Sequence, residues 1–489
     1  MRQGHTTELS TKHIQRTLLI ISGWLFVFVF LFNQPIMAQS EKMDKAVALF
    51  QKGNFSALQQ MQNRTDVASK NNQKIDSLAE ISRRIQHDFN LSEQEVDTLL
   101  QKQGIHFSPD EKQEWEAKGW LENKVINGQK WYFSRSVGNL KLRLQQQQDS
   151  INKTLPPLDG LSKFRLAHTA TVIDHTTKNG QLTAPIDFKV TYTITVKPNV
   201  VSAGDTLRCW MPYPKQDHAR QTNVVLLHTF PATYRIAPDS VGQRSIYFEQ
   251  KAKKGEPAIF QISFTYRSYA QSYDLSRLSP LPYKTSSTLY RKYTAEQPPH
   301  IVFSREIRHL ADSIVGTITE PTEIVRKLYT WINRNIIWSG ALEYSTMANI
   351  PYFVLMNRKG DCGMQTLLFM SMARYKGIPV KWQSGWMMHP NEVNLHDWSE
   401  VYYEGIGWVP VDVSFGLQQS ENRRIRDFYI SGIDSYRLII NDAISAPLFP
   451  AKQFMRSEPV DFQRGEVEST HGNLYFDQWK YSMQVEYVK

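Results

Sequence analysis

Residues 357–382, NRKGDCGMQTLLFMSMARYKGIPVKW, put a cysteine between an aspartate and a glycine at the start of an apolar run. Asp361 is a favoured N-cap residue, Gly377 is a C-terminal stop and Pro379 lies just beyond, so Cys362 is predicted at or next to the first residue of a helix. Unpaired backbone N–H groups and the positive end of the helix dipole gather at that point, and both favour a thiolate. Asp361 opposes this, because an adjacent carboxylate raises a thiol pKa; a cationic partner has to outweigh it. Met364, Met370 and Met372 read as packing residues of the same helix.

A partner is offered by residues 395–416, LHDWSEVYYEGIGWVPVDVSFG, where His396 opens one strand and Asp412 lies in the next. With a three-residue turn at Glu404–Ile406, the two become diagonal neighbours on one face, roughly 7–8 Å apart at Cα. A slip of one residue would send them to opposite faces. Asp397 is a poorer orienter for His396, since consecutive strand residues point to opposite sides. A thiol, an imidazole and a carboxylate in this order suit acyl transfer. The thiolate attacks a carbonyl, the imidazole takes the thiol proton and returns it to the leaving amine, and the carboxylate fixes the ring and its cation. A metal site built from His389, His396 and Asp397 would have no familiar ligand spacing, and no metal or other cofactor is expected. Trp398 and Trp408 read as core or cleft walls.

The 489 residues carry 57 Lys+Arg against 47 Asp+Glu, a formal charge of +10, with 41% hydrophobic content. The basic residues are scattered apart from Arg423 to Arg426, and no nucleic-acid motif accompanies them, so nucleic acid is not an expected partner. Residues 1–40 combine a mildly basic lead with the apolar run TLLIISGWLFVFVFLF, shorter than the roughly 20 residues of a spanning helix. They are read as a cleaved signal peptide, with a retained anchor as the alternative and membrane contact only in that case. The protein is expected to be exported, periplasmic or extracellular. Export favours disulfides, but of the two cysteines Cys209 reads as a buried strand residue and Cys362 as a free thiol.

Five segments follow from composition and period. Residues 1–40 are the signal. Residues 41–155 are helical, with capping boxes at Ser92–Glu95 and Ser108–Glu111 and a hairpin turning at Asn127-Gly128. Residues 160–275 change to period 2, most clearly at Ile186 to Val196 and Phe260 to Tyr266, and predict an immunoglobulin-like β-sandwich. Residues 296–445 hold an amphipathic helix beginning near Pro321, then the cysteine helix and the strands after it. Residues 446–489 form a tail without a recognisable motif.

The run GDCG, GIPVKW, SGW, HDWSEV and GIGWVPVDVSFG resembles the transglutaminase-like superfamily, closely over 360–416 and loosely over 301–440. The β-sandwich expected before the core also resembles domains that precede it in bacterial relatives. The resemblance implies a multidomain α+β chain with a papain-like core, Cys362 as nucleophile, His396 as general base and acid, Asp412 as orienter, and no cofactor. Family members often have a small residue where Asp397 stands and another residue at Gln365, which bears on substrate preference. Two functions follow. One is an exported thiol enzyme that cleaves or transfers amides, a peptidase or amidase rather than a cross-linker, with peptide or protein amides and cell-wall peptides as candidate substrates. The other is a non-catalytic exported binding or scaffold protein, against which an intact triad argues. With a cationic His396 beside it, the Cys362 thiol should titrate below its ordinary value of about 8.5.

Overall fold

The computed structural model describes residues 41–62, 70–152, 155–216, 218–390 and 392–488, so residues 1–40, read from sequence as a signal peptide, lie outside the described residues. Among the described residues, no helix is long and apolar enough to cross a membrane. The described residues divide into two compact units, one reaching to Leu99 and adding 122–134, the other made of 100–121 and the chain from Arg135 onward.

The first unit is helical over 41–51, Phe55–Gln62 and Lys70–Asp88. Apolar spacing buries Ala46, Leu58, Ile75 and Ala79 together, and Phe55, Ile85 and Ile126 in a second cluster. A three-stranded antiparallel sheet adds Phe89–Leu91, Gln129–Phe133 and Asn123–Ile126. Its hairpin turns at Asn127 (φ 52°) and Gly128 (φ 82°). Two successive positive φ values match the twist of the flanking strands, which is why Asn-Gly is used. The Ser92 capping box forms, Glu95 accepting from the Ser92 N–H at 2.7 Å.

The second unit contains the Ser108 capping box on Pro109–Ala117 and a long helix, Ser136–Asn152. The next segment departs from expectation. Residues 160–175, assigned by sequence to the sandwich, form a helix, Gly160–His175. Asp159 caps it, accepting from the Ser162 N–H at 2.7 Å, and Thr169, Val172 and Ile173 supply a helical buried stripe.

Two five-stranded antiparallel sheets follow. The first runs Gly432–Ile433, Ala258–Ser272, Leu182–Val196, Trp479–Val488, with Gln221–Phe230 also paired to Ala258–Ser272. The second runs Asn473–Leu474, Glu466–Glu468, Thr206–Pro212, Ser245–Lys251, Arg235–Ile236. The period-2 residues pair across strands as Val190–Phe264, Tyr192–Ile262 and Ile194–Phe260, all fully buried. They share one core with Cys209, Met211 and Phe248 of the other sheet. Burying each such aliphatic or aromatic side chain is worth about 1.5–3 kcal/mol. The unassigned tail belongs here, for Val467, Leu474 and Trp479 complete that core.

A four-stranded antiparallel sheet carries the rest: Gly407–Val411, Glu392–Tyr403, Val380–His389 and Arg437–Asn441. The cysteine helix, Cys362–Tyr375, packs Met364, Leu367, Leu368 and Met372 into one cluster with Trp382, Val401, Val409 and Val411 of this sheet. The helix Pro321–Asn335 adds Ile324, Leu328 and Ile332 to the same cluster, its proline sitting at the first turn, where no N–H is needed.

Candidate active site

Cys362 is the first residue of its helix and Asp361 its N-cap, accepting from the Met364 N–H at 3.1 Å and from the Tyr344 hydroxyl. The thiol is half-buried and free, as is the fully buried Cys209, so no disulfide joins them. Cys362 opens onto a cavity of about 420 Å³. Gly363 follows in a crowded place: a Cβ there would stand 2.4 Å from the Tyr344 hydroxyl and 2.6 Å from Asp397 Oδ2, so a larger residue would force those side chains to move.

The turn predicted for the histidine strand forms in the predicted register. Tyr403 pairs with Gly407 and Ser399 with Val411, leaving Glu404–Ile406 as the three-residue loop. His396 and Asp412 therefore meet, Nε2 to Oδ2 at 2.7 Å. Arg437 holds the far side of this pair, its Nη1 2.9 Å from Asp412 Oδ2 and its Nη2 2.9 Å from Asp434 Oδ2. Burial would raise the Asp412 carboxyl, but the neighbouring His396 ring and Arg437 outweigh it and hold it down at about 2. His396 itself is pushed below its ordinary value by burial, with Asp412 opposing and Arg437 assisting. Burial therefore favours the neutral ring. With Nε2 engaged by Asp412, Nδ1 has no hydrogen-bond partner among the described residues.

The thiol is engaged elsewhere. Cys362 Sγ donates to Asp397 Oδ2 at 3.4 Å, and no hydrogen bond joins it to His396 among the described residues. His396 and Asp397 are consecutive strand residues and project to opposite sides. Asp397 turns to the thiol, whereas His396 turns to Asp412 and to the Phe415 ring, 4.6 Å between centroids. Gln463 ties the two together, its Nε2 donating to His396 O and Asp397 Oδ1, 2.8 Å each. The expected depression of the thiol pKa is not found. Burial, then the Asp397 and Asp361 carboxylates, push Cys362 well above its ordinary value, and the Asp397 backbone N–H offsets them only in part. Asp397 is itself raised, by burial and by Asp461 and Asp361.

Gln463, Arg437, Asp434 and Asp461 were not singled out from sequence. They lie beyond the motif, reach it only through sheet pairing and loop packing, and carry no local signature. Trp398 is buried with Ile433 and Ile439, a core residue as read. Gln365 donates to Gly360 O at 2.9 Å and braces the loop before the cysteine. Among the described residues, no cluster of His, Cys, Asp or Glu is arranged to hold a metal ion.

Residues 308–413 match the transglutaminase-like superfamily. The chain carries a transglutaminase-like core. No curated protein matches the chain. Among solved structures, a Cytophaga hutchinsonii protein with a provisional cysteine-protease label is 14% identical, with a TM-score of 0.41, over 63% of this chain and 93% of that one. The periplasmic domain of TgpA from Pseudomonas aeruginosa is 14% identical, with a TM-score of 0.25, over 56% of this chain and 98% of that one. Likenesses this distant bear on neither the site nor the activity of the transglutaminase-like core.

Proposed function

We propose that the transglutaminase-like core makes this chain an exported thiol enzyme that cleaves amide bonds in peptides or proteins, with hydrolysis as its outcome rather than cross-linking. Cys362 is the nucleophile, His396 the general base and then acid, and Asp412 its orienter. The observation that carries this reading is the buried His396–Asp412 pair, 2.7 Å apart, with Nδ1 unengaged, on the strand segment that the thiol of Cys362 touches at Asp397. His396 and Asp397 project to opposite sides of the strand, so this reading requires a rearrangement: the thiol leaves Asp397 and comes within reach of His396 Nδ1, which takes its proton while Asp412 stabilises the imidazolium. Sulfur attacks the carbonyl, backbone N–H groups at the helix start receive the oxyanion, and the amine leaves with the proton from His396. Water then releases the acyl group from the thioester. The sandwich, which its sequence suggests is immunoglobulin-like, serves packing or recognition.

A second reading, a non-catalytic recognition protein, draws support from burial and the Asp397 carboxylate both disfavouring the thiolate. A casein-like protein with an amine donor, incubated with and without a thiol alkylator, separates the two. New termini or a Cys362-linked acyl adduct, both absent in Cys362→Ser, support the enzyme. A folded protein giving neither favours recognition.

A further inference from the structure

The cavity before Cys362 is acidic although the chain is basic overall. Five carboxylates line it, those of Glu343, Asp361, Asp397, Glu458 and Asp461. Of the two guanidiniums on the wall, Arg464 is committed, donating to Glu343 at 2.7 and 2.9 Å and to Glu458 at 2.8 Å. Asp361 is committed as the helix cap. That leaves Asp461, beside Asp397, which among the described residues accepts only from Gln463 and from the thiol itself, with Arg135 as the other guanidinium.

Asp461 is 8% exposed, and what it exposes lines this cavity. Among the described residues, its carboxylate receives a hydrogen bond from nothing but its own backbone N–H. A carboxylate so far removed from water ordinarily has donors or a counter-ion. The neighbouring acids make the shortage worse: burial and the Glu458 charge drive Asp461 upward, with the Arg464 charge offsetting them only in part, as burial and Asp461 drive Asp397. A cation with several N–H donors would satisfy both groups at once. Its position is fixed by Asp397, whose Oδ2 is 3.4 Å from the sulfur. A carbonyl carbon poised for attack stands about 3–3.5 Å from the nucleophile. An amino group a bond or two from that carbonyl therefore falls against these carboxylates.

We propose that this cavity seats a primary ammonium group on the acyl side of the scissile amide, held by Asp461 and Asp397. The substrate class is then amides whose acyl portion bears a free amino group. This rests on the reading of Cys362 as nucleophile, but the seat itself is testable without turnover.

The probes are alanyl-alanine amide and its N-acetyl derivative, titrated calorimetrically into Cys362→Ala protein. The free amine should bind about tenfold or more tightly, as a charge-assisted contact does, and the difference should vanish in Cys362→Ala/Asp461→Asn. Equal binding of the two probes by Cys362→Ala overturns the proposal and needs no second variant. A retained preference alongside a wild-type protein that turns nothing over supports the seat and counts against the nucleophile reading alone. With an active wild type, product masses place the amine. Its retention on the acyl fragment supports the proposal, and its appearance only as an attacking acceptor overturns it.

Discussion

After burial, Asp397 does most to keep the cysteine protonated. Its neighbour His396 was legible as a candidate base because it opens a strand, and the same alternation sends Asp397 to the other side, onto the thiol. The sequence showed that an adjacent carboxylate works against the thiolate, but it named Asp361. The stronger carboxylate lies thirty-five residues away from the cysteine and reaches it only through packing. Replacing Asp397 by Asn removes that charge and should move the pH profile of iodoacetamide labelling of Cys362 downward, with labelling near pH 7 faster than in wild type. Cys209, raised by complete burial, should stay silent until denaturant is added. An unchanged profile would separate Asp397 from the thiol's protonation. Gly363→Ala tests the same crowding from the other side. A methyl 2.4 Å from the Tyr344 hydroxyl forces a shift, typically costing about 1–3 kcal/mol. Thermal unfolding should report that loss, together with reduced labelling at Cys362.

At the level of elements, helix punctuation and strand register were the legible parts. Asp361, Gly377 and Pro379 bracket the cysteine helix where expected. The Glu404–Ile406 loop places Asp412 on His396 because the period of two leaves one register in which both share a face. The helix at Gly160–His175 was absorbed into the sandwich, since its buried residues, Thr169, Val172 and Ile173, are β-branched and suit either structure. Arg437 escaped notice because only the pairing of its strand with Val380–His389 brings it to Asp412. Asp412→Asn leaves Arg437 opposite a neutral amide and loosens the His396 ring, so under the proposed mechanism activity should fall but exceed that of Cys362→Ser, which removes the proposed nucleophile. Equal loss in both variants, with folding preserved, would make Asp412 more than an orienter.

The whole molecule carries a pH signature written by its buried histidines. His168, His218, His389 and His396 all titrate below the ordinary value, and His300 falls to about 4, burial being the first cause in each. A group depressed on folding contributes its stability above the unfolded pKa, about 6.5 for histidine. That contribution is lost as pH falls from there toward the folded values. Asp412 has the same sign lower down, its contribution complete above about 3.9 and disappearing as pH falls through about 2. Asp397 and Asp461, raised on folding, act in the opposite direction. The melting temperature should therefore fall from pH 6.5 to pH 4, and Asp397→Asn or Asp461→Asn should steepen the fall. A flat profile across that range would mean that these rings gain protons without opening the fold.

Trp479–Val488 lies along Leu182–Val196 from Trp479↔Val196 to Val488↔Asp187. Until that late strand exists, Leu182–Val196 has an open edge rich in apolar residues. At a synthesis rate of about 5–20 residues per second, the ribosome leaves that edge unpaired for on the order of 15–60 s. Folding of the sandwich thus has to wait for its far strand, and meanwhile the open edge is exposed to pairing with other chains. Removal of residues 478–489 should hold the chain in this waiting state, soluble only with a chaperone and lacking the sandwich's cooperative transition in urea.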